Sequence, residues 1–437
     1  MNLKHKMETR VPKAILKLLK AIGKMADGMG FGAFVVGGFV RDLVLGMENF
    51  DLDIVTEGDA MRSAALFSKV YNGRLVSHRK FGTATVYIER PVGVKRSIQE
   101  GSFFRLDFAT ARKEKYERPA QLPLIESSSI REDLYRRDFT INAMAVFLSE
   151  RNFGSLIDFY NGLDHVRDKR IRVLHDRSFI DDPTRIFRAI RFEQRFNFRI
   201  DPYTERLIVE ALQGGVLKKT ENQRIRDELL LILGEPYPLR SVKRMREFHL
   251  LSFLHKAITI DDGIEDLFGS CRDNLQELSS VPMSIRLVDR YLVYLLVMTD
   301  ALNLRQSMAF CEKFALPRKD RLRLGSYKKH GKKVKDVLDA DIDIRPSRVY
   351  GMLKDISIEE MILILSKCKS AKAKRAIKDH LIKYINVKIE VNGTDLKTIG
   401  ISEGPSYRRI LDKLLDMKLD GRIKNKKDEI DILQSLL

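Results

Sequence analysis

A chain of 437 residues has room for roughly three units of about 150 residues each, which excludes a single minimal binding module. Its 79 Lys and Arg against 60 Asp and Glu leave a net charge of +19, and a hydrophobic content of 44 % excludes a disordered basic tail, so the composition points to a folded protein that meets polyanions. Cys271, Cys311 and Cys368 stand far apart with no C-x-x-C pair, so neither a disulfide framework nor a thiolate zinc site is indicated and a reducing cytoplasm fits best.

No secretory signal opens the chain. Val11, Ile15, Leu18, Leu19 and Ile22 line one face of an N-terminal helix and Lys13, Lys17, Lys20 and Lys24 the other; packing onto the next domain is the ordinary use of such a face, membrane-surface contact the alternative. From Ala33 to about Leu148, short apolar runs such as Ala33 to Val36 and Ala84 to Ile88 mix with a helical stretch near Ala60 to Val70, the pattern of a strand-rich α/β unit. Within it, Val35-Val36-Gly37-Gly38 reads as a strand ending in two glycines before a helix start. Backbone N–H groups there can approach an anion without side-chain obstruction, and a triphosphate would fit, although a plain strand-to-helix turn looks the same. Asp51 and Asp53, in Phe50-Asp51-Leu52-Asp53, stand at i and i+2 on a strand and so emerge on one face. Two carboxylates that close favour a hard cation such as Mg²⁺ unless they merely face solvent on an edge strand. Asp107 sits on a second predicted strand, either as a third carboxylate able to accept a hydroxyl proton or as a structural partner of Arg112.

After Asp158 the signals become almost wholly helical. Asp181-Asp182-Pro183-Thr184-Arg185 opens a helix that Asp182 can cap, and Arg185, Arg188, Arg191 and Arg195 follow at helical spacing, as a functional stripe or a solvated face. Helical stretches follow at Glu205 to Leu212 and Asp227 to Leu233, and Gly234-Glu235-Pro236-Tyr237-Pro238 is a breaker cluster and candidate boundary. The most apolar stretch, Tyr291 to Met298, is far shorter than the roughly 20 residues of a membrane-crossing helix, so the protein is expected to be soluble, with no membrane partner. Lys328, Lys329, Lys332, Lys333 and Lys335, then Lys372, Lys374, Arg375, Lys378 and Lys383, suit an RNA backbone track or a solvated helix surface. In the closing segment, Gly404-Pro405 reads as a helix start whose free N–H groups, with Arg408 and Arg409, can hold an RNA phosphate.

In combination these segments resemble one family, the class II tRNA nucleotidyltransferases and bacterial poly(A) polymerases, built on the nucleotidyltransferase fold of DNA polymerase beta. The G-G-x-V-R-D motif stands at Gly37, Gly38, Val40, Arg41 and Asp42, with D-x-D at Asp51 and Asp53. R-R-D stands at Arg136, Arg137 and Asp138, inside a run that continues to Asn142; the neck motif matches at Asp158, Gly162, Asp164, Ile171 and Arg172; and D-D-x-x-R matches at Asp181, Asp182 and Arg185. The resemblance covers about residues 33 to 230 and extends more weakly to the C-terminus. It implies an α+β chain: a nucleotidyltransferase head with an N-terminal helix (1–150), then an all-helical neck that selects the nucleotide (151–238), a helical body (239–370) and a tail that holds the tRNA elbow (371–437).

The resemblance further implies Mg²⁺ on Asp51 and Asp53, catalysis by these two with Asp107, and nucleotide contacts from Gly37, Gly38, Arg41, Arg137, Asn142, Asp182, Arg185, Arg188 and Arg191. It places tRNA contact at Gly404, Arg408 and Arg409. A carboxylate that only accepts and a guanidinium that only donates match the Watson–Crick edges of A and C and clash with those of G and U, so the protein would carry its own template. Tyr116, Pro119, Leu122, Pro123 and the Ser127 to Ser129 run look most like the long bacterial type that includes A-adding enzymes. The reading is therefore a cytoplasmic enzyme with tRNA and ATP as partners, with no protein partner evident, that completes CC to CCA. Full CCA addition with CTP and ATP is the alternative, poly(A) polymerase a less favoured one, and an inactive RNA-binding homologue the non-enzyme one.

Overall fold

The computed structural model describes residues 1–79, 82–92, 103–118, 120–121, 123–279, 288–340, 345–401 and 404–435; Pro119 and Leu122, named above for the long bacterial type, lie outside the described residues, as do Ser402 and Glu403. Two compact units divide the chain, Met1–Glu221 and Asn222–Leu437.

The first unit opens with helices α1 (Lys4–Arg10) and α2 (Lys13–Gly28). In α2 the apolar face Ile15, Leu18, Leu19 and Ile22 is buried, so it packs inward as an ordinary amphipathic helix. Next come β1 (Ala33–Val36), α3 (Gly38–Leu45), β2 (Leu52–Thr56), α4 (Ala60–Val70), β3 (Arg74–His78), β4 (Thr83–Glu89) and β5 (Phe103–Thr110). A hairpin of β6 (Arg112–Lys115) and β7 (Leu124–Ser127) precedes α5 (Ile130–Tyr135), β8 (Ala145–Phe147) and β9 (Leu156–Ile157). Seven strands form one sheet in the order β3-β4-β5-β2-β1-β8-β9. It is mixed: β2 and β5 run parallel, the other neighbours antiparallel. The inner strand β1 is apolar on both faces, Ala33 through Val36 all being buried, as a strand covered on both sides requires. Phe34, Val36, Val55, Ile130, Leu134, Ala143 and Ala145 form one core beneath it.

The register places the site. Asp53 on β2 stands directly beside Asp107 on β5. Asp51 lies one residue before β2 begins, so the expectation that both carboxylates of the pair sit on the strand holds only for Asp53. Past the sheet, α6 (Gly162–Arg167), α7 (Ser178–Asp181), α8 (Thr184–Phe196) and α9 (Pro202–Gln213) complete the unit.

Among the described residues the second unit contains no strand. Its centre is the apolar helix Arg290–Met298, with Leu292 through Met298 all buried, and no helix of the described residues is long and apolar enough to cross a membrane. Helix Asn222–Gly234 packs against it, carrying Ile225, Leu229, Ile232 and Leu233 inward, so this helix belongs to the second unit although the sequence boundary was placed after it, at Pro238. The apolar pairing outweighs the breaker cluster as a domain mark. Val391, Leu396, Leu414, Ile423 and Leu433 form a separate small core at the C-terminal end, and the three cysteines are free and buried.

Close backbone packing limits what the scaffold tolerates. A Cβ on Gly23 of α2 would lie 1.7 Å from the Leu148 carbonyl oxygen, so backbone must move to admit it. Gly23→Ala is expected to destabilise the fold by about 1–3 kcal/mol, despite alanine's better helix propensity, as read by urea unfolding.

Candidate active site

Three features converge at one end of the sheet. The turn between β1 and α3 comes first. Gly37 has φ +69°, a conformation glycine adopts freely, and a Cβ there would meet Arg137 Nη1 at 2.7 Å. Gly37 thus lets the Arg137 guanidinium lie directly against the strand-to-helix turn.

The carboxylates come second. Asp107 accepts a hydrogen bond from Thr85 Oγ1 at 2.6 Å and pairs with Arg105 at 2.7 Å, so its ion-pair partner is Arg105 on its own strand and not the Arg112 expected from sequence. Asp53 has no such pair among the described residues. Desolvation, followed by repulsion from Asp51 and Asp107, raises its carboxyl to about 6 against the attraction of Arg137 and Arg105. Its side chain remains exposed in surface area, so the crowded carboxylate is open to solvent on one side. Among the described residues no three His, Cys, Asp or Glu side chains are arranged as a complete metal cage. An anionic pair open to solvent fits the way Mg²⁺ is ordinarily held, by one or two carboxylates plus substrate phosphates. Asp51 and Asp53 could hold it.

The third feature is a polar network behind the carboxylates. Asp133 is fully buried; its Oδ1 accepts from Arg136 Nε and Nη2 at 3.0 and 2.7 Å and its Oδ2 from Arg137 Nη2 at 3.1 Å. Burial alone would raise this carboxyl, but the two guanidiniums outweigh it and hold its pKa below the usual range. Asp133 thereby fixes Arg137 in front of Gly37. The signal was present in the sequence, because Asp133 stands three and four residues before Arg136 and Arg137 on a helical turn. Glu114 adds a second carboxylate to Arg136 at 2.9 Å and accepts from Tyr116 at 2.9 Å, a pairing across sequence that spacing did not reveal.

Arg41 is buried and uses three nitrogens within the protein: Nε and Nη2 donate to Asp42 at 2.8 and 3.0 Å, and Nη1 donates to Asn142 Oδ1 at 2.5 Å. Its guanidinium also lies over the Phe196 ring at 4.4 Å. Asn142 passes the chain on, donating to Asp138 Oδ1 at 2.9 Å, and Asp138 Oδ2 accepts from Arg188 at 2.6 Å. Burial opposes the charge on Asp138, yet Arg188 and the Asn142 amide bring its pKa down to about 2. Asn49, overlooked in the sequence, donates to Asp42 Oδ2 at 2.7 Å and accepts the Asp51 backbone N–H at 2.9 Å.

The arginine stripe of α8 is not a solvated face. Arg185 and Arg191 are buried and Arg188 is half-buried against Asp138; Arg195 alone of the four is exposed. Arg185 donates to Ser178 Oγ and to the Arg136 carbonyl, both at 2.8 Å, while Arg191 lies over Phe192 at 4.8 Å. Asp182 accepts from the Thr184 N–H at 3.1 Å and hydroxyl at 2.6 Å, an Asx-type turn just before α8; the N-cap itself is Pro183, so the helix cap expected of Asp182 is not where the sequence placed it. The structure thus brings Gly37, Gly38, Arg41, Asp51, Asp53, Asp107, Arg137, Asn142, Asp182, Arg185, Arg188 and Arg191 into one unit.

Gly404, Arg408 and Arg409 belong to the other unit. Gly404 caps helix Pro405–Leu419 and both arginines are exposed. Of the basic track, Lys328 turns inward and donates to the Thr299 and Asp300 carbonyls at 2.8 Å, its ammonium pushed down to about 8 by burial. Lys335 pairs with Asp336 and Asp339, Lys378 with Glu277 and Lys383 with Asp379. Lys329, Lys332, Lys333, Lys372 and Lys374 are exposed.

Residues 33–172 match the family described as the poly A polymerase head domain, and residues 197–260 match one described as a probable RNA and SrmB-binding site of polymerase A. The A-adding tRNA nucleotidyltransferase of Geobacter sulfurreducens is 36 % identical over 98 % of this chain and 48 % of its own length. That of Aquifex aeolicus is 33 % identical over 82 % of this chain and 41 % of its own. The chain spans about half the length of these relatives. Among solved structures, an apo form of a CCA-adding enzyme is similar at TM-score 0.76 and 36 % identity, covering 100 % of this chain and 99 % of that one. The CCA-adding enzyme of Thermotoga maritima, complexed with tRNA, is similar at TM-score 0.72 and 34 % identity, covering 100 % and 98 %. Fold and site together define a nucleotidyltransferase head joined to a helical remainder. The chain belongs to the CCA-adding tRNA nucleotidyltransferase family.

The raised Asp53 carboxyl carries a stability consequence with a definite sign. A group whose folded pKa of about 6 exceeds its ordinary 3.8 binds protons more tightly in the folded state, so folding stability falls as pH rises from about 4 through 6. Asp53→Asn is expected to raise the thermal midpoint above wild type at pH 7.5 in the presence of a chelator. The difference should vanish near pH 4, and added Mg²⁺ should narrow it at pH 7.5 by stabilising only the wild type; circular dichroism melts across the range read this directly.

Proposed function

We propose that this protein transfers AMP from ATP to the 3′ end of tRNA ending in CC, completing the CCA terminus without a nucleic acid template. The observation that carries this reading is the A-adding Geobacter relative, which aligns with 98 % of the chain, taken with an acidic pair beside a glycine turn and an arginine. The primer 3′-hydroxyl attacks the α-phosphorus and pyrophosphate leaves, with positioning and charge stabilisation as the sources of rate. Asp51 and Asp53 hold Mg²⁺, which when bound supplies neutralisation of the phosphate charge. Arg137, fixed by Asp133, faces the polyphosphate at the Gly37-Gly38 turn. Asp107 accepts the hydroxyl proton; a carboxylate has about four lone-pair sites, so the bonds from Thr85 and Arg105 leave acceptor capacity.

Asp182 and Arg185 read the base edge, with Arg188 and Arg191 supporting them, and the network through Asp138, Asn142 and Arg41 keeps α8 in place relative to the head. Gly404, Arg408 and Arg409 hold the tRNA far from its 3′ end by phosphate contacts. Full CCA addition is the second reading, favoured by one observation: the solved CCA-adding enzymes cover the chain end to end. Buried, free cysteines suit a cytoplasmic setting.

The test is incubation with tRNA ending at the discriminator base, at C or at CC, with ATP or CTP supplied alone. A-adding activity predicts product only from the CC end and only with ATP; CMP incorporation establishes the second reading instead. Asp53→Ala is expected to lower addition to under a few per cent of wild type while tRNA affinity, measured by filter binding, stays within about twofold. Asp182→Ala should raise misincorporation from GTP and UTP by about tenfold or more relative to ATP, since a buried unpaired polar group costs about 1–3 kcal/mol. An unchanged selectivity profile would make Asp182 the residue that closes the turn before α8 and nothing more.

A further inference from the structure

The two residues assigned to Mg²⁺ are not held alike. Asp53 lies inside β2, where the ladder to β5 fixes its backbone. Asp51 precedes the strand, so the sheet does not place it. What reaches it is the side chain of Asn49: Oδ1 accepts the Asp51 N–H at 2.9 Å, closing an Asx-type turn two residues on. The other end of the same amide donates from Nδ2 to Asp42 Oδ2 at 2.7 Å. Asp42 is buried at 2 % exposure and anchored by two bonds from Arg41, so the amide ties a loop residue to a fixed point in the core. Only a side chain with an acceptor and a donor on one planar group makes both contacts; Asp lacks the donor and Ser is too short to span them.

We infer that Asn49 is a positioning residue for the metal site, holding Asp51 at the angle and distance from Asp53 that a shared divalent cation requires. This rests on the proposed assignment of Asp51 and Asp53 to the metal. Asn49 acts through the backbone of its neighbour, accepting the Asp51 N–H. Hydrogen bonds continue behind it through Arg41, Asn142 and Asp138 to Arg188, so the strap is fastened to the same network that holds α8. A displaced Asp51 leaves Asp53 to bind the cation with one firm protein ligand in place of two. The expected signature is weaker metal binding, with turnover restored by excess metal.

The test uses the full chain with Mn²⁺ as the probe, free Mn²⁺ being read by electron paramagnetic resonance with a non-hydrolysable α,β-methylene ATP present. Asn49→Ala is expected to weaken Mn²⁺ binding about tenfold, as the loss of two hydrogen bonds of ordinary strength implies, and to raise the Mg²⁺ half-saturation of turnover in parallel. Maximal turnover at saturating Mg²⁺ and tRNA affinity should stay within about twofold. Asn49→Ser keeps a hydroxyl able to accept the Asp51 N–H, so it should recover part of the lost affinity. Mn²⁺ affinity unchanged in Asn49→Ala, or Asn49→Ser no better than Asn49→Ala, overturns the inference, as does a turnover loss that excess metal leaves unrepaired. Failure of the functional reading is separable from these outcomes: wild-type chain that binds Mn²⁺ through Asp51 and Asp53 but adds no nucleotide refutes the activity while leaving the strap open to the same binding measurement.

Discussion

Crowding of negative charge at one end of a sheet is the constraint on which the rest of this structure depends. The parallel register of β2 and β5 sets Asp53 beside Asp107, and the loop before β2 adds Asp51. Desolvation first, and repulsion within the cluster after it, raise the Asp53 carboxyl against the attraction of Arg137. The surrounding residues compensate selectively. Arg105 pairs with Asp107, and Arg137 approaches across a glycine turn that has no side chain to stop it. Asp53 and the exposed Asp51 form the pair proposed to share a cation, so under that proposal the unfavourable local electrostatics and the binding role are one property.

The second layer is built oppositely. Asp42, Asp133 and Asp138 are buried, and each is engaged by at least one guanidinium. Buried charges are tolerated when paired and hydrogen-bonded, and here the pairing also fixes geometry, since each arginine is aimed by a carboxylate that cannot move. The front acids Asp51 and Asp53 are exposed, while the acids behind are buried and held by guanidiniums.

Much of this was legible in the residues. Helical periods located α2, α4 and α8, a short apolar run located β1, and the glycine pair located the turn. Three things were not legible, for physical reasons. Whether an arginine stripe faces water or core is decided by what packs on it, so Arg185 and Arg191 looked the same as Arg195 in sequence while only the last is exposed. Pairings between distant segments, such as Glu114 with Arg136, have no periodic signature. Lys328, read as part of a track for nucleic acid, caps a helix end because two orphan carbonyls at Thr299 and Asp300 need a donor, a demand that exists only once the helices are assembled.

Arg185 is held in part by a backbone group, the carbonyl of Arg136. A carbonyl is supplied by any amino acid, so its contribution leaves no trace in side-chain identity and is set only by where the segment before Asp138 runs. Two homologous chains with identical residues at 182 and 185 can therefore present different guanidinium orientations if the path of residues 133–138 differs by a fraction of an ångström. If Asp182 and Arg185 read the base as proposed, exchange of the neck helix alone between such chains would transplant the letters of a nucleotide preference without the frame that orients them, and its inheritance would be a property of two segments 49 residues apart travelling together.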